Sequence, residues 1–142
     1  MINENFKVTG EVTIQKNGKV IREIPNTIVT AGKNNIASLI TDAGTKMTHM
    51  AVGTGTTSVA AGNTALVTET DRNALSTSGG TPSTNTIVYA AVWAAGDGTG
   101  ALTEAGLFSA SSGGTMMART VFSAVNKAAG DILTITWTVT IS

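Results

Sequence analysis

The segment LTITWTVTI (133–141) alternates strictly between large apolar residues and threonine. Successive side chains of a β-strand point to opposite faces, so this alternation predicts a strand with one buried face. The threonines at 134, 136, 138 and 140 share the other face. The apolar face holds Leu133, Ile135, Trp137, Val139 and Ile141. A chain with this segment needs a sheet that covers a core on one side.

Other segments predict further strands by the same test. In GEVTIQKNGKVIREI (10–24), apolar residues on either side of Asn17-Gly18 indicate a hairpin, because this pair tolerates the positive φ angles of a two-residue turn. TIVYAAVWA (86–94) is apolar on both faces, which indicates burial on both sides or a subunit contact. Weaker candidates are MTHMAVG (47–53) and TDRNALST (70–77). Two more strands are expected at 103–109 and 115–122.

A single segment has helical rather than alternating spacing. TAGKNNIASLITDAG (30–44) places Ile36, Leu39 and Ile40 at i, i+3 and i+4, which predicts a short helix that ends by Gly44. Thr30 is a candidate N-cap.

Seven to nine short strands and one helix predict an all-β domain, an antiparallel β-sandwich or a jelly-roll-like fold. Pro25 is expected to end the second strand of the hairpin. The predicted organisation is therefore an N-terminal β-hairpin arm (1–27) followed by a β-sandwich domain (28–142).

The charge balance narrows the possible partners. Only 13% of the 142 residues are charged, and nine basic residues match nine acidic ones. A nucleic-acid-binding domain carries a basic surface, so no nucleic-acid partner is expected. No apolar run approaches the length of a membrane span. A neutral chain has little self-repulsion, which favours self-association.

Two glycine-containing segments superficially resemble ligand loops. Gly53-Thr54-Gly55 lacks the third glycine of a dinucleotide fingerprint and the Gly-Lys-Ser/Thr of a Walker loop. Asp97 and Glu104 lie on either side of a glycine-rich stretch but lack the alternating oxygen ligands of a calcium loop. Turns are the better interpretation of both segments, and neither a cofactor nor a metal is expected.

The single histidine is the remaining catalytic candidate. His49 could act as a general base on a serine, with Asp42 or Asp71 orienting its ring. The sequence lacks a G-x-S-x-G nucleophile elbow, and His49 lies on an alternating strand beside methionines. A structural role is the better interpretation, so no catalytic residue is assigned and the protein is not expected to be an enzyme.

The segment TEAGLFSASSGGTMMARTVF (103–122) carries an acid and a base on either side of turn residues. A turn centred at Ser111-Ser112, and continued by Gly113 and Gly114, places Phe108 opposite Thr115 and Glu104 opposite Arg119. Opposite charges on neighbouring strands stabilise a sheet by about 0.2–1 kcal/mol. Glu104 and Arg119 are therefore predicted to be a structural cross-strand pair.

These residues together support a resemblance that runs from about residue 28 to the end of the chain. The combination resembles a family of small structural proteins from the virions of tailed bacteriophages. The matching positions are Gly53-Thr54-Gly55-Thr56, Thr64-Ala65-Leu66, Glu69, Arg72, Glu104-Ala105-Gly106-Leu107-Phe108, Ser112-Gly113-Gly114-Thr115, Ala118-Arg119 and Trp137-Thr138.

The resemblance implies a β-rich, non-enzymatic virion protein that is assembled in the host cytoplasm. Related modules resemble both capsid decoration (cement) proteins and tail-fibre or baseplate components. The chain has no heptad or collagen-like repeat from which to build a fibre shaft, which favours capsid decoration. The implied partners are the major capsid protein and other copies of the chain, with a trimer favoured. The candidate contact surfaces are the arm, the loop 53–64 and the segment 78–85.

Overall fold

The predicted strands form two five-stranded antiparallel sheets in the computed structural model, which describes residues 5–142. Sheet A has the order β2-β1-β10-β7-β6, and sheet B has the order β3-β9-β8-β4-β5. The elements are β1 (Val8–Lys16), β2 (Lys19–Pro25), β3 (Thr27–Ile28), α1 (Thr30–Ile40), β4 (His49–Gly53), β5 (Glu69–Ala74), β6 (Thr81–Ser83), β7 (Thr86–Trp93), β8 (Gly100–Phe108), β9 (Met116–Lys127) and β10 (Leu133–Ile141). The all-β, sandwich-like class is confirmed. The described residues contain ten strands rather than seven to nine, because the short β3 and β6 have no alternation to reveal them.

The core lies between the two sheets, and β10 contributes to it as its alternation predicts. Leu133, Ile135, Trp137 and Val139 are buried, whereas the threonines between them are only partly covered. Trp93 of β7 is also fully buried in this core. The prediction that β7 is a strand is confirmed, but only one of its faces is buried: Val92, on the other face, is 45% exposed.

The turn between β1 and β2 has the predicted chemistry. Asn17 has a φ of 52° and Gly18 a φ of 80°, the left-handed conformations that a two-residue hairpin turn requires. Asn17 also fastens this turn to the β9–β10 connection. Its side-chain nitrogen donates to Asp131 Oδ1, and its Oδ1 accepts from the backbone N–H of Ile132, each at 2.9 Å.

The hairpin is part of the sandwich and not a separate arm. Strand β1 lies between β2 and β10, and it pairs with β10 from Val8–Ile141 to Lys16–Leu133. Val12 and Ile14 are completely buried in the main core. The expected domain boundary at residue 27 is therefore wrong. Local alternation revealed the hairpin but carried no information about its pairing with a strand more than 100 residues away.

The helix is where the sequence predicts it, but of the three predicted apolar positions only Ile36 packs against the main core. Val29 is the N-cap instead of Thr30, and α1 ends at Ile40, before Gly44. Leu39 and Ile40 are 43% and 83% exposed, and the buried positions are instead Gly32 and Asn35.

Backbone proximity and hydrogen bonding select that buried face. A Cβ atom on Gly32 would collide with the backbone oxygen of Met117 in β9, so glycine permits the close approach. Asn35 accepts from the backbone N–H of Thr45 at 2.9 Å and donates to its carbonyl at 2.7 Å. No helix in the described residues is long and apolar enough to cross a membrane.

A third layer covers the outer face of sheet B. It consists of the covering loop, which we define as residues 54–68 between β4 and β5, and the start of α1, where Ala31 packs against this face. A second, smaller apolar cluster lies beneath this layer and is formed by Val29, Ala51, Leu66, Phe108 and Met116. Among residues 5–142, sheet B is thus covered on both faces, whereas sheet A is covered mainly on its inner face.

The place of β1 in the core predicts unequal effects for two substitutions in the hairpin. Ile14→Ala should lower the free energy of unfolding by about 2–5 kcal/mol, because it leaves a cavity in the main core. Val20→Ala, at a position that is 45% exposed, should change it by about 0.5 kcal/mol or less. Urea unfolding followed by tryptophan fluorescence measures both. Equally small effects would mean that the hairpin does not contribute to the core.

Candidate functional site

The most elaborate polar cluster lies between sheet B and the covering loop. Glu104 of β8 and Arg119 of β9 are both completely buried there. Arg119 donates to the same carboxylate oxygen, Glu104 Oε2, from Nε at 3.1 Å and from Nη2 at 2.9 Å. The sequence thus correctly predicts that Glu104 and Arg119 pair with each other. It does not predict that both side chains are completely buried.

The register of the two strands differs from the predicted one. Arg119 pairs with Gly106, and Glu104 pairs with Val121. Irregularities occur between Leu102 and Glu104 and between Leu107 and Phe108. The offset is two residues, so the two side chains remain on one face and meet diagonally. The predicted turn centre at Ser111-Ser112 could not account for these irregularities.

The Glu104 carboxylate holds both ends of the covering loop. Oε1 accepts from the backbone N–H of Gly55 at 3.0 Å and of Thr68 at 2.7 Å, and Oε2 accepts from that of Val67 at 3.0 Å. With the two bonds from Arg119, the carboxylate receives five hydrogen bonds. Gly55 lies next to the first residue of the loop and Val67 and Thr68 end it, so a single side chain holds the two ends of the segment together.

Arg119 holds the middle of the same loop. Its Nη1 donates to Asn63 Oδ1 and its Nη2 donates to the carbonyl of Thr57, each at 3.0 Å. Asn63 Oδ1 also accepts from the backbone N–H of Ala60 at 2.9 Å. The ion pair therefore organises a segment that has no regular secondary structure of its own.

The Gly53-Thr54-Gly55 segment is explained by this cluster. A Cβ atom on Gly55 would lie 2.5 Å from Glu104 Oε1, and one on Gly53 would lie 2.7 Å from the same oxygen. Glycine lets the backbone approach an anion closely, as it does in phosphate loops. Here the anion is a carboxylate of the same chain.

Two opposing effects act on the pKa of Glu104. Burial raises it, whereas the hydrogen bonds from Thr68, Val67, Arg119 and Gly55 lower it, and their combined effect prevails. The pKa of Glu104 therefore lies below its ordinary value of 4.5, and the carboxylate is ionised at neutral pH.

A second guanidinium fixes the turn that connects β8 and β9. Arg72 of β5 donates from Nη1 to the carbonyls of Ala110 and Gly113, each at 2.9 Å. Its Nη2 lies 2.7 Å from Glu69 Oε1, and its Cζ lies 3.7 Å from the centroid of the Phe108 ring. The turn spans 109–115, and the predicted turn residues Ser112, Gly113 and Gly114 all lie within it; both glycines have positive φ.

The residues considered for catalysis or metal binding are not brought together. His49 Nδ1 lies 2.8 Å from the Thr48 hydroxyl, and no carboxylate forms a hydrogen bond with this ring among residues 5–142. Asp97 lies in a turn closed by its backbone N–H and the carbonyl of Ala94, while Glu104 is fully engaged elsewhere. In the part of the chain that the structure describes, no group of three His, Cys, Asp or Glu residues could hold a metal ion.

Sequence reasoning identified Glu104 and Arg119 but missed the residues that complete the cluster. Asn63 and Thr57 lie more than 50 positions from Arg119, in a segment without periodicity. Arg72 has no sequence signal other than its place among the matching positions of the resemblance. Comparisons of the chain with protein-family models, with characterised proteins and with solved structures found no match.

Removal of the negative charge at position 104 should destabilise the protein severely. Glu104→Gln leaves the guanidinium of Arg119 buried without a counter-ion, so we expect a loss of about 3–5 kcal/mol in the free energy of unfolding. Glu69→Gln is the matched control, because that carboxylate also pairs with an arginine but is one third exposed; it should cost about 0–1 kcal/mol. Urea titration at neutral pH measures both, and equal losses would contradict the structural role of the buried pair.

The lowered pKa of Glu104 predicts that the protein loses stability in acid. Because the pKa of Glu104 is lower in the folded state, its contribution is complete above the ordinary value of 4.5 and is lost as the pH falls through the folded-state pKa. Thermal unfolding between neutral pH and pH values well below 4.5 should show this loss in the wild type.

The contribution of Asp131 to the acid-dependent loss of stability must be distinguished from that of Glu104. Hydrogen bonds from Asn17 and from the Ala128 backbone lower the pKa of Asp131 as well. Asp131→Asn should therefore retain most of the acid-dependent loss of stability, whereas Glu104→Gln should remove most of it. If Asp131→Asn removed most of the acid-dependent loss and Glu104→Gln did not, the loss would be due to the turn that contains Asp131.

Proposed function

We propose that this chain is a non-enzymatic structural protein of a tailed-bacteriophage virion, and that it decorates the capsid by binding through its covering loop. The observation that carries the proposal is the buried Glu104–Arg119 pair, which holds a long surface loop in one conformation. The resemblance to small virion proteins supplies the biological setting. The implied partner is the major capsid protein, and the implied location is the virion.

The surface of the covering loop suits contact with another protein. No residue from 54 to 68 is charged, and most of them are exposed. Val67 is 53% exposed, and Ala60 and Ala61 of the same loop are also exposed. A partner would therefore remove apolar and neutral groups from water without having to desolvate an ion.

The rigidity of the loop favours binding further. Ordering a flexible loop on binding consumes part of the interaction energy, but Glu104 and Arg119 have already fixed Gly55, Thr57 and Asn63. The charged side chains of Glu104 and Arg119 point inward, where they hold the loop, and do not reach its surface. The surface is thus built for a stable contact rather than for turnover.

A capsid contact of this kind would act mechanically. Each copy that bridges neighbouring shell subunits buries apolar surface, at roughly 25 cal/mol per Å² before the costs of ordering. A closed shell repeats that contact many times. A modest energy per copy then raises the resistance of the whole particle to internal pressure.

The proposal predicts where the protein is found in purified virions of the phage that encodes it. Quantitative mass spectrometry should give a copy number comparable with that of the major capsid protein. A copy number that is a small fraction of it would instead support the alternative, a tail-fibre or baseplate component. Absence of the chain from the particle would overturn the virion proposal.

Two arginine substitutions test whether the covering loop makes the contact. Ala60→Arg adds charge and bulk to the loop surface and should reduce incorporation into particles about tenfold or more. Ala129→Arg is the control, at an exposed alanine in the β9–β10 connection. Both variants should unfold at the wild-type temperature. Equal incorporation of the two would show that another surface binds the particle.

A further inference from the structure

The outer face of sheet A is a regular surface that residues 5–142 leave largely uncovered. Its centre is β10, whose threonines alternate with buried core residues. Within residues 5–142, the main contacts of sheet A with other elements are with strands of sheet B, across the core, and α1 approaches only the Thr9 end of β1. We define the threonine face by the outward residues of β1, β10 and β7: Thr9, Glu11, Thr13, Gln15, Thr134, Thr136, Thr138, Thr140, Thr86, Val88, Ala90 and Val92.

The side chains of this face form a regular array. The β1–β10 pairing runs from Val8–Ile141 to Lys16–Leu133, and the β10–β7 pairing from Leu133–Trp93 to Thr140–Thr86, without a bulge in either. Neighbouring outward residues are therefore spaced about 4.8 Å across the strands and about 6.8 Å along them. A surface so regular can meet a second regular surface over its whole extent.

The composition of the face is unusual for a surface in contact with water. Glu11, near the middle of β1, is the only charged residue among its twelve positions, and Glu23 of the neighbouring β2 borders the face beside Thr13. Solvent-facing strands are usually kept apart from other sheets by charged residues such as lysine and glutamate. Here the centre offers hydroxyl and methyl groups, with an apolar border formed by Val88, Ala90 and Val92.

We propose that the threonine face binds the same face of a second copy of this chain, in a two-fold symmetric dimer. A hydroxyl group both donates and accepts hydrogen bonds, so an array of threonines is complementary to itself. Threonine and valine are restricted at χ1, so little side-chain freedom is lost when the two faces meet. The two carboxylates, Glu11 and Glu23, lie on the β1–β2 side of the face, and its β10 and β7 positions carry no charge.

The dimensions of the face are sufficient for such a dimer. Four outward positions along each of three strands and the flanking edges cover roughly 500 Å² per copy. The pair would bury about 1,000 Å² in total, at the lower limit for a specific interface. We therefore expect a concentration-dependent dimer, with dissociation in the micromolar range.

This inference deepens the proposed function, because its biological use rests on the chain being a virion component. It replaces the trimer expected from the sequence with a dimer, since a face that binds itself closes after two copies. The outward residues of β7, interpreted from the sequence as a subunit contact, lie on this face.

Sedimentation equilibrium of the free, full-length protein tests the dimer independently of any particle. The wild type should have twice the monomer mass at about 100 μM and dissociate on dilution. Thr136→Arg places a charge at the centre of the face and should weaken dimerisation about tenfold or more. Thr56→Arg, in the covering loop on the opposite side, should leave dimerisation unchanged.

A second variant tests the same face in case Thr136→Arg does not fold. Val92→Lys alters an outward residue of the neighbouring strand that is already 45% exposed, and it should also yield monomers with a wild-type unfolding temperature. A wild type that is monomeric at about 100 μM would overturn the proposal. So would a trimer, or a dimer unaffected by both variants. None of these outcomes bears on whether the covering loop binds a particle, which the incorporation of Ala60→Arg measures separately.

Discussion

The carboxylate of Glu104 is the point on which the covering layer of sheet B depends. It accepts hydrogen bonds from Gly55 near the start of the loop and from the last two loop residues, and it neutralises the guanidinium that holds the middle. Without this carboxylate, three backbone N–H groups and one guanidinium would be buried with unsatisfied hydrogen-bonding capacity. The loop would then be released from sheet B, and the apolar cluster around Phe108 and Leu66 would be exposed.

The cluster uses the chemistry of an anion-binding site for a structural purpose. Glycines at 53 and 55 bring backbone groups close to a negative charge, and an arginine supplies the counter-charge. In a nucleotide site the same elements face outward and hold a phosphate. Here the anion belongs to the strand beneath, so the arrangement holds a loop. The apparent ligand loop in the sequence and the acid–base pair are thus two halves of one feature.

The sequence predicts those parts of the fold that are encoded locally. Alternation identifies β10, a continuous apolar run identifies β7, and Asn17-Gly18 identifies the hairpin turn. Local sequence patterns do not reveal that β1 pairs with β10, since that contact joins opposite ends of the chain. The Glu104–Arg119 partnership follows from symmetry about the turn, but its diagonal register depends on strand irregularities. Its burial depends on Asn63 and Thr57, which no periodicity marks.

The two proposed contact surfaces lie on opposite sides of one protomer. The covering loop lies outside sheet B, and the threonine face lies outside sheet A, so a face-to-face dimer would carry its two loops at opposite ends. With layers about 10 Å apart, those ends would be separated by roughly 50 Å. Both loops could engage a shell at once only if the dimer lay along its surface and bridged two sites. In that arrangement each weak loop contact would raise the local concentration of the other, so the dimer would bind more tightly than either protomer alone.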